Sequence, residues 1–133
     1  MNTSATSTTL SVFIPRAPAE VYAFISNPSN LPQWASGLGD GVERVDEHWI
    51  VHAKAGDLKL VFADQNDFGI ADHWVTLPNG DEVYVPLRVL KNGSGSEVIF
   101  TLFRQPEMSD ADYTNDARLV QQDLHKLQQV LAR

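Results

Sequence analysis

The chain contains no cysteine, which excludes disulfides, thiolate nucleophiles and cysteine-based metal sites. It has no run of about 18 apolar residues, so no membrane-inserted helix is expected. Residues 1–9 lack the basic and apolar regions of a signal peptide, and the expectation is a cytoplasmic protein. Basic residues are scarce: 10 Lys and Arg stand against 17 Asp and Glu, a formal charge of −7. Ten of the acids fall between Asp40 and Glu82, where the only bases are Arg44, Lys54 and Lys59. That field repels phosphate backbones and anionic lipids, which argues against nucleic-acid and membrane partners. Gly93-Ser94-Gly95 lacks the lysine and following helix of a phosphate loop, no Gly-x-Ser-x-Gly occurs, and no cofactor motif is present.

What is present suits one core. With 133 residues, 43% of them apolar, the chain fits a single domain over 8–133 behind a polar, aperiodic tail at 1–7. A first strand is expected at Thr8–Ile14, ended by Pro15. Pro18 suits the first turn of a short helix over about 18–26, in which Val21, Phe24 and Ile25 keep helical spacing. Asn27-Pro28-Ser29-Asn30 breaks it, and Leu31-Pro32-Gln33-Trp34 reads as a second helical turn before a loop marked by Gly37, Gly39 and Gly41. Six β-type runs separated by turn residues follow, near 42–46, 48–54, 58–64, 68–76, 82–90 and 96–104.

Two turns set an expected register. A two-residue turn at Asn79-Gly80 places Asp72 opposite Leu87 and Trp74 opposite Val85, and one at Gly93-Ser94 pairs Leu87 with Phe100 and Val89 with Val98. One face then carries Phe68, Ile70, Asp72, Trp74, Val83, Val85, Leu87, Val89, Val98, Phe100 and Leu102. His73, Tyr84, Pro86, Arg88, Ile99 and Phe103 lie on the other.

The clearest helix is the last. Ser109 can cap it, Asp110 and Asp112 suit the positive end of its dipole, and Tyr113, Ala117, Val120, Leu124, Leu127 and Leu131 form an apolar stripe. The pattern is that of an α+β domain in which a curved seven-stranded antiparallel sheet packs on a long C-terminal helix.

Ser11-Val12-Phe13-Ile14-Pro15-Arg16-Ala17-Pro18-Ala19-Glu20-Val21-Tyr22 and Asn27-Pro28-Ser29-Asn30-Leu31-Pro32-Gln33-Trp34 resemble the strand and paired helices that open START-like (SRPBCC) domains. Asp72-His73-Trp74-Val75, Pro86-Leu87-Arg88 and Glu97–Arg104 are similar to a bacterial subgroup of its polyketide cyclase/dehydrase branch. The resemblance covers nearly the whole chain and implies a helix-grip fold holding an apolar or amphipathic small molecule between helix and sheet. Some members catalyse cyclisation or dehydration there, but no catalytic motif of a characterised cyclase is present to carry over.

The candidate site residues follow from the expected faces. Asp72 among Ile70, Trp74 and Leu87 is a desolvated carboxylate, either a general acid or base or a structural hydrogen-bond acceptor. His73 and Arg88, diagonal neighbours on the other face, replace it in the pocket if the faces are inverted. Asp72 and His73 are thus the catalytic candidates. Trp34, Trp49, Trp74, Tyr84, Arg88, Phe100 and Tyr113 are candidates for ligand contact, the aromatics combining an apolar body with a polar tip or serving as core. His48 and His52 sit about 13 Å apart along a strand, too far to share a metal. The readings that remain are a binding module, an acid/base enzyme acting on a polyketide-like carbonyl compound, and an interaction module that forms a homodimer through the mixed face.

Overall fold

The computed structural model describes residues 4–35, 41–53 and 56–132; Gly37 and Gly39 of the expected glycine loop, Lys54 and the first residues of the tail lie outside these. Strand β1 (Ser7–Ile14) leads into α1 (Pro18–Ile25), a 3-10 turn (Pro28–Asn30) and α2 (Leu31–Trp34). Strands β2 (Val42–Val45), β3 (His48–Ala53), β4 (Gly56–Phe62), β5 (His73–Thr76), β6 (Glu82–Val85), β7 (Leu87–Asn92) and β8 (Gly95–Phe103) precede α3 (Asp110–Leu131). No helix is long and apolar enough to cross a membrane among the described residues.

Among the described residues the strands number eight in two antiparallel sheets, β1-β8-β7 and β2-β3-β4-β5-β6, rather than seven in one. The expected strand 82–90 is interrupted at Pro86, which has no N–H to give to a ladder. A single bridge between Ile70 and Arg88 links the sheets beside this break. Gly69 permits the close approach there: its φ is 74°, and a Cβ on it would lie 2.5 Å from the Val89 carbonyl oxygen. At the start of the chain Ser7, assigned to the tail above, pairs with Phe103 and extends β1.

The turn at Gly93-Ser94 has the expected register, with Leu87 opposite Phe100 and Val89 opposite Val98. The turn at 78–80 does not. Leu77 N–H bonds to the Asp81 carbonyl, Gly80 N–H bonds back to the Leu77 carbonyl, and three residues form the loop. Gly80 takes a left-handed φ of 93°, the arrangement of an ordinary turn followed by a glycine bulge. Pro78 suits the first central position of such a turn, and the Asn79 side chain accepts from Asp81 N–H at 2.9 Å. One extra loop residue slips the pairing by one, so His73 faces Val85 and Trp74 faces Tyr84. A one-residue slip moves every side chain of β5 to the opposite face.

The core lies between the inner sheet faces and the helices. Ile14, Val51, Leu60, Leu87 and Val98 meet Val21 and Ile25 of α1 and Leu124 and Leu127 of α3, all nearly inaccessible to solvent. Helix α3 begins where Ser109 accepts from Asp112 N–H at 3.0 Å, and its stripe buries Leu124 and Leu127 most deeply. On the outer surface His52 is held between Asp57 and Glu43, both at 3.0 Å. The bonds to Asp57 and Glu43 raise its pKa above the ordinary imidazole value. Among the described residues no group of three or more His, Asp and Glu side chains is placed to hold a metal ion.

Candidate functional site

The break at Pro86 organises the site. Ala71 and Leu87 face each other in the bridge between the sheets, and antiparallel partners of this kind exchange two hydrogen bonds. One forms, from Ala71 N–H to the Leu87 carbonyl at 2.8 Å. The other is replaced from both sides. Leu87 N–H is taken by Asp72 Oδ1 at 2.9 Å, and the Ala71 carbonyl is 3.1 Å from His73 Nδ1. Two adjacent side chains pointing to opposite faces thus satisfy both backbone groups that the ladder leaves over.

Asp72 therefore lies on the outer side of the sheet, which corrects its expected place among the pocket residues. Its carboxylate is buried, with 7% of the side chain accessible, and accepts from Tyr84 Oη at 2.9 Å and from Arg88 Nε and Nη2 at 3.2 and 2.9 Å. Burial pushes this carboxyl upward, but the bonds from Arg88, the Leu87 amide and Tyr84 outweigh it and hold the pKa below the ordinary value. The bond to Asp72 in turn raises the Tyr84 phenol. Trp74 stacks on Tyr84 at 5.3 Å and Tyr84 on Phe103 at 6.1 Å. Trp74, Tyr84 and Arg88 thus form a row on the outer face, away from the interior.

His73 faces inward instead, while Arg88 stays outside on Asp72, so the expected pairing of these two is corrected as well. The His73 ring stacks on Phe62 with centroids 4.4 Å apart and 15° between planes. A carbonyl can only accept, so Nδ1 carries the proton that bonds Ala71, and in the neutral ring Nε2 is an acceptor. Nε2 has no hydrogen-bond partner among the described residues. Desolvation lowers the His73 pKa, against the opposing effects of the Ala71 carbonyl and Asp72, and keeps the ring neutral near pH 7.

This inversion places His73 on the wall of an interior pocket of about 210 Å³. The sheet supplies Leu60, His73, Val75, Val85 and Phe100, α2 and its end supply Leu31, Trp34 and Ala35, and α3 supplies Val120, Asp123 and Leu124. The Trp34 indole N–H is buried without an acceptor among the described residues, a condition that costs about 1–3 kcal/mol. Two larger depressions, of about 640 and 740 Å³, lie at the surface beside Tyr22 and Asn66 and beside Arg104. Their walls are far more polar than that of the interior pocket, whose accessible lining is overwhelmingly apolar.

Of the ligand-contact candidates, Trp34 and Phe100 line the interior pocket. Trp49 packs against the core from β3, opposite Leu60. Tyr113 sits near the start of α3, its hydroxyl 2.6 Å from Thr8 Oγ1 and donating to the Leu102 carbonyl at 3.3 Å. Leu60 and Val75 also line the pocket but are ordinary aliphatic strand residues with no sequence signal of their own, while Val85 stood on the expected apolar face. Val120 and Leu124 were legible as the middle of the α3 stripe.

Stability should respond to His73 protonation. The unfolded chain binds a proton here that the folded chain resists, so this contribution is complete above about pH 6.5 and is lost as pH falls toward the lower folded value. His73→Phe keeps a ring against Phe62 and removes the titration. Urea midpoints at pH 7.5 and 5.5 should show the wild type losing more than the variant on acidification.

No family model matches the sequence, and no curated protein matches it. Solved structures do. XoxI from Bacillus cereus superposes with a TM-score of 0.75 at 18% identity, covering 95% of each chain. Ara h 8.0201 gives 0.73 at 14% identity, covering 96% of this chain and 97% of its own. The chain shares its fold, antiparallel sheets with a long C-terminal helix, with these proteins. DynU16, described as a putative protein in the dynemicin biosynthetic locus, gives 0.72 at 12% identity over 94% of this chain and 46% of its own. At such identities the likeness is one of fold alone.

Proposed function

We propose that this protein binds a small apolar or amphipathic organic molecule in the pocket between the sheet and α3. The observation that carries the reading is the pocket itself: aliphatic and aromatic walls from three directions, with one neutral imidazole and one helix carboxylate as its ionisable groups. Such a mix of apolar walls and few polar groups is the usual character of small-molecule sites. The likeness in fold to DynU16, from the dynemicin biosynthetic locus, is consistent with an organic ligand.

Proton-transfer chemistry has less support. Of Asp72, His73, Tyr84 and Arg88, only His73 lines the pocket. Asp72 already accepts from Leu87, Tyr84 and Arg88, and a carboxylate so engaged is poorly placed to serve as a base.

Methyl-labelled NMR tests the binding reading. Titration with toluene should shift the methyl signals of Leu60, Val75, Val85, Val120 and Leu124 and leave those of Leu90 and Ile99 on the outer face in place. Unmoved inner methyls up to the solubility limit would defeat it.

A further inference from the structure

The pocket's size and its one free acceptor narrow the ligand further, on the footing of the binding reading above. An apolar cavity of about 150 Å³ accommodates benzene, so about 210 Å³ holds one ring with a small substituent or two. A fused three-ring skeleton exceeds it.

The polar requirement comes from the break in the sheet. Because the Ala71 carbonyl holds the proton on Nδ1, His73 offers the pocket a lone pair at Nε2. His73 is nine-tenths buried, yet Nε2 is not sealed off as the Trp34 indole nitrogen is, so its lone pair stays open to a hydrogen-bond donor. It calls for a ligand that donates. Trp34, on the α2 wall of the same pocket, has the opposite need, a buried N–H without an acceptor among the described residues. A hydroxyl is complementary to both kinds of group, since it donates once and carries lone pairs. Charge points the same way: Asp123 lies on the α3 side and is itself engaged, and Asp72 is the next residue to His73 on the opposite face. An anionic ligand would meet the Asp123 carboxylate with no cation among the described residues of the wall, and a cation would lose its hydration among aliphatic side chains.

We propose that the occupant is a neutral single-ring molecule bearing a hydroxyl, with that hydroxyl donating to His73 Nε2 inside the pocket.

The test compares p-cresol with toluene, which differ by one hydroxyl, in the wild type and in His73→Phe by methyl NMR titration. The affinity ratio of p-cresol to toluene, in which any change of wall shape is common to both compounds, should fall roughly fivefold to tenfold in the variant, the worth of one neutral hydrogen bond. If toluene binds and the ratio is the same in both proteins, the hydroxyl assignment is overturned and the binding reading stands. If neither compound binds the wild type, both are overturned. Should His73→Phe fail to fold, the ¹⁵N shift of Nε2 in the wild type decides: it should move with p-cresol and not with toluene, and an unmoved signal with p-cresol bound overturns the assignment.

Discussion

Replacing Asp72 by alanine is expected to destabilise the protein by about 2–3 kcal/mol while leaving ligand affinity within twofold. The loss comes mainly from the buried Leu87 N–H, whose acceptor disappears, a deficit of about 1–3 kcal/mol. The Arg88 bonds add less, because that side chain is 47% accessible and water replaces much of the pair. Asp72→Asn keeps an oxygen for Leu87 and should cost about 1 kcal/mol. Chemical denaturation of the two variants measures this ordering. Equal losses would mean that the charge, not the amide cap, is what the position supplies. The pH dependence has a definite sign: with its folded pKa depressed, Asp72 contributes stability that is complete above about pH 4 and lost as pH falls through the folded value. Asp72→Asn should flatten that acid limb.

Leu124→Ala should produce the other large effect. Leu124 is fully buried on α3 and also lines the pocket, so truncation removes apolar burial and enlarges the space left behind. Substitutions of this kind cost about 2–5 kcal/mol, and a domain of this size would lose roughly 10 °C of Tm for about 3 kcal/mol. The enlarged pocket should bind naphthalene more tightly than the wild type does. Leu127→Ala is the control: equally buried but outside the pocket wall, it should lose similar stability without that gain. Thermal unfolding with and without naphthalene reads both. A matching gain in Leu127→Ala would show that general loosening, not pocket shape, admits the larger ring.

Much of the fold was legible because its signals are local. The α3 stripe needs only the 3.6-residue period, its start only Ser109 with Asp112 following, and α1 only Pro18 ahead of Val21 and Ile25. The hairpin at Gly93-Ser94 was legible for the same reason, since a two-residue loop dictates its own pairing. At 78–80 the Asn-Gly pair suggested a two-residue turn, whereas Pro78 supports the three-residue loop that forms. Both signals stood in the sequence, and their competition was decided by the strands on either side.

Of the site candidates, His73, Trp34 and Phe100 line the pocket, and Asp72, Trp49, Trp74, Tyr84, Arg88 and Tyr113 do not. By itself the sequence determined the helices, the helix face that packs inward, and the inner residues of β6 to β8, because each depends on spacing within one segment, whereas the bounds of β1, β5 and the break at Pro86 were not set by it. Only the tertiary structure decided that His73 faces the pocket while Asp72 caps the outer edge of a broken ladder. The physical reason is that strand side chains alternate every residue, so the identity of the inward face rests on one residue of loop length. Beside Pro86 the Leu87 N–H and the Ala71 carbonyl fail to meet, and the Asp72 and His73 side chains satisfy them instead.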